Sequence, residues 1–141
     1  MKRKWLYIGI ALASCLQFFF EGMWYGILFT NSYEELHPIL RNSPHLMFNF
    51  LSEAAFASLV GFFYLHVPNE RRGLRSGIII GTILGLLIGL YQFLGWYGSF
   101  DLSAYVIFLE IIKAIFLGTI CGAAISFAEL RINPRTKSRA I

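Results

Sequence analysis

The chain has 141 residues, of which 57% are hydrophobic, 17% aromatic and only 14% charged, and its net charge is +4. A soluble domain carries about 25% charged residues. Here the apolar residues fall in long blocks, which excludes a soluble globular domain. The basic residues flank those blocks, where they set orientation and meet anionic headgroups, so the positive charge does not describe a nucleic-acid surface.

The first apolar block covers about residues 5–29 and follows Lys2, Arg3 and Lys4. Within it, Leu12-Ala13-Ser14-Cys15 has the form of a bacterial lipoprotein cleavage box. The next residues are Leu16-Gln17-Phe18-Phe19-Phe20 rather than a polar tether. Cleavage would leave about 15 apolar residues where ~20 are needed to span a bilayer. The block therefore reads as an uncleaved spanning helix, with Cys15 and Cys121 as small packing residues. The loop that follows holds Ser32-x-x-Glu35, a capping-box spacing, and predicts a short interfacial helix broken near Pro38. Ser43-Pro44 fits an N-cap with proline at the first helical position. It opens a second helix over about 46–67, which Pro68 stops. A third helix is expected over 76–97 and a fourth over 103–128, with a basic tail, 129–141, containing Pro134. Each block is near the spanning length. Lipid offers backbone groups no other partner, so each block must be a helix. The expected fold is an all-α membrane protein: one domain, residues 1–141, in a bundle of four transmembrane helices.

Ten of the twelve basic residues lie on one side of that arrangement: Lys2, Arg3, Lys4, Arg71, Arg72, Arg75, Arg131, Arg135, Lys137 and Arg139. Arg41 lies on the other side, and Lys113 lies inside a helix. Basic loops stay in the cytoplasm, which predicts that both termini are cytoplasmic.

The two halves repeat an order of residues. Gln17-Phe18 is followed by Gly22-Met23-Trp24-Tyr25-Gly26, and Gln92-Phe93 by Gly95-Trp96-Tyr97-Gly98. Glu53, Ala57 and Gly61 match Glu110, Ala114 and Gly118 in a Glu-x3-Ala-x3-Gly pattern. An aromatic belt at the headgroups explains Trp-Tyr pairs without ancestry. The shared order of the rest predicts a 2+2 parallel internal repeat with its axis along the membrane normal. Glycines also recur every fourth residue from Gly73 to Gly89, and Ala114, Gly118, Gly122 and Ser126 share that spacing. Residues four apart lie on one helix face, where small side chains let backbones approach. The third and fourth helices are expected to meet along these rows, or the third to form a dimer seam.

Polar side chains within the apolar blocks carry whatever chemistry the chain has. Glu21, Glu53, Gln92, Glu110 and Lys113 lie well inside helices, and Gln17 and Asn49 extend the set. A charge at mid-membrane costs ~2.5–3.5 kcal/mol or more on insertion scales. At ~1.5 Å per residue the five fall ~8–15 Å from the outer ends of their helices, in one layer. Glu110 and Lys113 are spaced to pair on one helix. Three carboxylates against one ammonium leave the layer acidic, which suits a proton or a small cation. If the repeat holds, Glu53 and Glu110 face each other as the central carboxylates, with Lys113 as counter-charge and Glu21 and Gln92 lining the site. The bland alternative is that these groups bond helices to one another. His37, His45 and His66 show no metal-ligand spacing, and Glu34 and Glu35 read as a solvated face. No nucleophile–base set, phosphate loop or Cys-His cluster is present, so no catalytic residue, metal site or cofactor is assigned.

Trp24-Tyr25-Gly26-Ile27-Leu28-Phe29, closing the first helix, resembles a motif of a family of small bacterial four-helix membrane proteins of unknown function. The later glycines of the third helix and the Glu110–Gly118 stretch are compatible with it. The long outer loop and Glu21 have no counterpart in that pattern. The resemblance implies a multi-pass protein of the bacterial inner membrane and carries no activity. Together these readings lead to a small transport or permeation module, a homo-oligomer contacting lipid, with a proton or small cation at the acidic layer. A structural or partner-binding protein, and a metal-dependent membrane enzyme, are the alternatives.

Overall fold

The computed structural model describes residues 4–29 and 46–132. They form four helices: α1 (Lys4–Met23, continued through Trp24–Leu28), α2 (Leu46–His66), α3 (Leu74–Ser99) and α4 (Ala104–Ile132). All four are long and apolar enough to cross a membrane. Their outward faces carry bulky apolar side chains such as Tyr7, Phe19, Ile27, Phe62, Ile83, Leu87, Tyr91 and Phe108. Apolar surface on that scale is a liability in water and natural in lipid. This is a multi-pass membrane protein. The expectations attached to Ser32–Glu35, His37, Pro38, Arg41, Ser43-Pro44, His45 and the tail from residue 133 lie outside the described residues.

Three boundaries correct the reading from sequence. α3 begins two residues earlier than expected, with the Ser76 hydroxyl accepting the Gly73 N–H at 3.0 Å, and ends two residues later, at Ser99. α4 continues to Ile132, so residues 129–132 belong to a helix and not to a tail. Ser103 caps α4, accepting the Val106 N–H at 3.4 Å.

Successive helices run antiparallel. One end of the bundle, the near end, carries Lys4, the α2–α3 turn and Ile132; the far end carries the α3–α4 turn. α4 is the hub, in its most extensive contact with α3 and its next with α1, while α2 leans on α1 and touches α3 and α4 only slightly.

The α3–α4 contact is made by backbone. Gly77, Gly81, Gly85 and Gly89 are buried. A Cβ on Gly81 would run into the Gly118 carbonyl, and one on Gly77 into the Gly122 carbonyl and Ser126. One on Gly89 would lie 2.9 Å from the Ala114 Cβ. Only glycine permits this approach. Gly73 precedes α3 and takes no part, since a Cβ there meets nothing. The Thr82 and Thr119 hydroxyls bond across the seam at 2.8 Å. Elsewhere side chains do the packing. Trp5, Ala13, Ala57, Val60, Tyr64, Cys121 and Ile125 make a near-end core, and Trp24, Phe93, Val106 and Leu109 belong to a far-end one.

Candidate functional site

Between α2 and α3, where the helices draw apart, lies a cleft of about 570 Å³ in the far half of the bundle. Glu21 of α1, Glu53 of α2, Gln92 of α3 and Lys113 of α4 all line it. The four helices thus bring four of the seven singled-out polar residues to one place.

Lys113 is the most heavily engaged of them. Its ammonium lies 2.8 Å from Glu110 Oε2 and 3.5 Å from Glu21 Oε1. It also donates to the Tyr25 hydroxyl and sits 4.2 Å above the Tyr25 ring. The Tyr25 hydroxyl in turn donates to Glu110 Oε1 at 2.8 Å. Glu110 and Lys113 are almost fully buried, at 1% and 4% exposure. Each charge here has an opposite charge and a hydrogen bond, which is the condition for keeping ions away from water.

Tyr25 lies four residues beyond Glu21, on the same face of α1, at the start of a local irregularity. Over Trp24–Leu28 the helix widens into π turns, and the Phe29 N–H bonds back to the Trp24 carbonyl at 3.0 Å. A widened turn shifts the side chains beyond it around the helix axis, and such turns gather at functional sites. The sequence presents Trp24-Tyr25 as a headgroup belt, a reading that passes over the four-residue step from Glu21 to Tyr25.

Glu53 is placed differently. It is only 7% exposed and lines the cleft. Among the described residues it makes no hydrogen bond or ion pair. Ser52, Phe56 and Phe93 are further parts of the wall, none of them singled out from sequence because each is an ordinary residue of a membrane helix.

The remaining candidates divide. Gln92 lines the cleft from an exposed position. Gln17 is fully buried one turn from Glu21, and its Nε2 donates to the Leu117 carbonyl at 3.3 Å. Asn49, expected to continue the row of Glu53, is exposed and is not in the wall of the cleft. The expected pair of central carboxylates also needs correction. Glu110 is not in the wall of the cleft; it belongs to the closed network with Lys113 and Tyr25, so the carboxylates of the cleft are Glu53 and Glu21.

A second buried polar cluster, at the near end, escaped the sequence reading. Glu129 is 3% exposed. It accepts the Tyr64 hydroxyl at 2.8 Å and lies 3.9 Å from the Arg72 guanidinium. Arg72 also donates to the carbonyls of Val67, at 2.9 Å, and Leu65, and Trp5 packs edge-on against Tyr64. The cluster fastens the α2–α3 turn to α4 and α1. A fourth helix ending at residue 128 puts Glu129 in the basic tail rather than on a helix face.

No protein-family model, no curated protein and no solved structure matches the chain. Among the described residues no group of three or more His, Cys, Asp or Glu is placed to hold a metal ion. His66 is exposed, bonded to the Phe62 carbonyl at 2.8 Å.

Proposed function

We propose that this protein is a small transport or permeation module of a bacterial inner membrane that binds a proton or small cation in the α2–α3 cleft. One observation carries the reading: Glu53 is a nearly buried carboxylate, unpartnered among the described residues, that faces a cavity. An acidic group inside a membrane is expensive, and such groups mark ion and proton pathways. Glu21, shared with Lys113, gives the cleft its second carboxylate. The excess of Lys and Arg at the near end supports an orientation with both termini cytoplasmic, which places the cleft in the outer half of the bilayer. The slight contact between α2 and α3 favours a homo-oligomer in which a second copy covers the gap. The repeated order of residues in the two halves supports an origin by duplication.

The second reading, helix–helix glue, is favoured for part of the polar layer. Lys113, Glu110 and Tyr25 satisfy one another across α1 and α4 and need no ligand. Glu53 is the residue that glue leaves unexplained.

The test is flux into proteoliposomes. Wild-type protein should pass protons or a small cation down a gradient, and Glu53→Gln should lower that flux at least tenfold while remaining monodisperse in detergent. Equal leakage from the two would end the transport reading.

A further inference from the structure

We infer that the occupant of the cleft is a hydrophobic organic monocation, held by Glu53 against the rings of Phe56 and Phe93. This rests on reading the cleft as a cation site and narrows the class of cation.

Size is the first argument. Small-molecule pockets enclose about 300–1,000 Å³, and the cleft, at about 570 Å³, falls within that range. A proton needs no such space. The donor set is the second. A bare hard cation takes six or more oxygens, whereas the walls provide the carboxylates of Glu21 and Glu53 with the amide of Gln92 and the hydroxyl of Ser52, among apolar side chains. An organic cation asks for less: one uncompensated carboxylate, aromatic faces and apolar contact.

The walls supply these in register. Glu53 and Phe56 are three apart on α2, so they are neighbours on one helix face. Phe93 approaches from α3, and its ring already lies 5.8 Å below the Lys113 ammonium, so its face is turned toward the charged part of the site. Lys113 is neutralised by Glu110 and Glu21, which leaves Glu53 as the carboxylate open to a ligand. α2 and α3, which supply most of the wall, have apolar outward faces, and the partly exposed Leu59 is part of that wall. A solute that partitions into lipid can enter sideways.

Binding of tetraphenylphosphonium to the purified full chain in detergent, by equilibrium dialysis, tests this. Wild-type protein should bind it saturably. Glu53→Gln should weaken binding at least tenfold and Phe56→Leu several-fold, and the neutral triphenylphosphine oxide should not compete. Undiminished binding by Glu53→Gln would mean partition into apolar surface and would overturn the inference. If Glu53→Gln fails to elute as a monodisperse species, Phe56→Leu and Glu21→Gln decide: affinities like that of wild type in both overturn it. No binding of tetraphenylphosphonium, with proton or sodium flux that still depends on Glu53, would end this inference and leave the proposed function standing. Saturable, Glu53-dependent binding without any flux would do the reverse.

Discussion

Glu53 and Glu110 stand at matching places in two copies of Glu-x3-Ala-x3-Gly, yet they meet opposite surroundings. Glu110 is on the hub helix, sealed between Lys113 and Tyr25. Glu53 is on the helix that stands most apart, and faces a cleft with no hydrogen-bonding partner among the described residues. The glycines of the two patterns diverge in the same way. Gly118 lies against the backbone of Gly81, while the atoms nearest a Cβ on Gly61 belong to the side chains of Leu6 and Ile10. The difference lies in what the neighbouring helix offers. α3 has a glycine on every turn and lets α4 come to backbone contact. α2 leans on side chains of α1 and makes only slight contact with α3, and the cleft opens between α2 and α3. The same pattern thus holds a paired carboxylate in one half and a carboxylate facing a cleft in the other.

The comparison breaks most visibly at Lys113. Lys113→Met removes the ammonium that balances Glu110 and leaves a buried carboxylate with one hydroxyl. Losing one partner of a buried ion pair costs ~3–5 kcal/mol. The variant should show a large drop in thermal stability in detergent, and the double variant Lys113→Met, Glu110→Met should recover most of it, because replacing both members by apolar groups is often nearly neutral. A double variant as unstable as the single one would mean that Glu110 was not the group left stranded. Next comes the seam. Gly81→Val drives a branched side chain into the Gly118 carbonyl and should cost ~3 kcal/mol or more, read as lost monodispersity or a lower unfolding midpoint. Gly95→Val, at a glycine with open space around it, should leave the protein folded and serves as its control.

How much of this was legible beforehand follows from what period and composition can carry. Four spans, the glycine seam and the Glu110–Lys113 pair all rest on spacing along a helix, and the structure has each of them. The level at which Glu21, Glu53, Gln92 and Lys113 meet followed from counting residues at ~1.5 Å each. The placing of α2 against its neighbours did not. How closely it approaches α1 and α3 is fixed by no local pattern, so Asn49, on the face of Glu53 but one turn beyond the cleft, and Glu110, closed off with Lys113, were both expected in the site. Tyr25 was hidden by the headgroup-belt reading of Trp24-Tyr25, and the Tyr64–Glu129–Arg72 cluster by a helix end set about one turn too early.

That near-end cluster gives a middle-sized effect. Tyr64→Phe removes the hydroxyl that Glu129 accepts at 2.8 Å while keeping the ring against Trp5. A hydrogen bond to a charged group contributes ~1.5–3 kcal/mol, so thermal stability should fall by about that amount. Flux and cation binding, which the proposed function assigns to the other end of the bundle, should keep their wild-type values per folded molecule. A loss of binding equal to that of Glu53→Gln would show that the two ends act as one unit.

The smallest stability effect belongs to the residue with the largest functional claim. Glu53→Gln breaks no hydrogen bond or ion pair among the described residues, and it removes a charge whose burial is itself unfavourable. Its unfolding midpoint should therefore match or slightly exceed that of wild type, within the ~0.5 kcal/mol usual for substitutions that disturb no partner. Glu110→Gln should be plainly destabilised, because Lys113 loses its nearest counter-charge. The two substitutions are chemically identical and occupy equivalent places in the repeated pattern, so protein-wide charge effects cancel from the comparison. If Glu53→Gln destabilised as much as Glu110→Gln, Glu53 would have a structural partner, and the division between a sealed and an open carboxylate would not hold. A folded, stable Glu53→Gln protein that has lost only its cation binding is the outcome that a group held at a cost for a ligand requires.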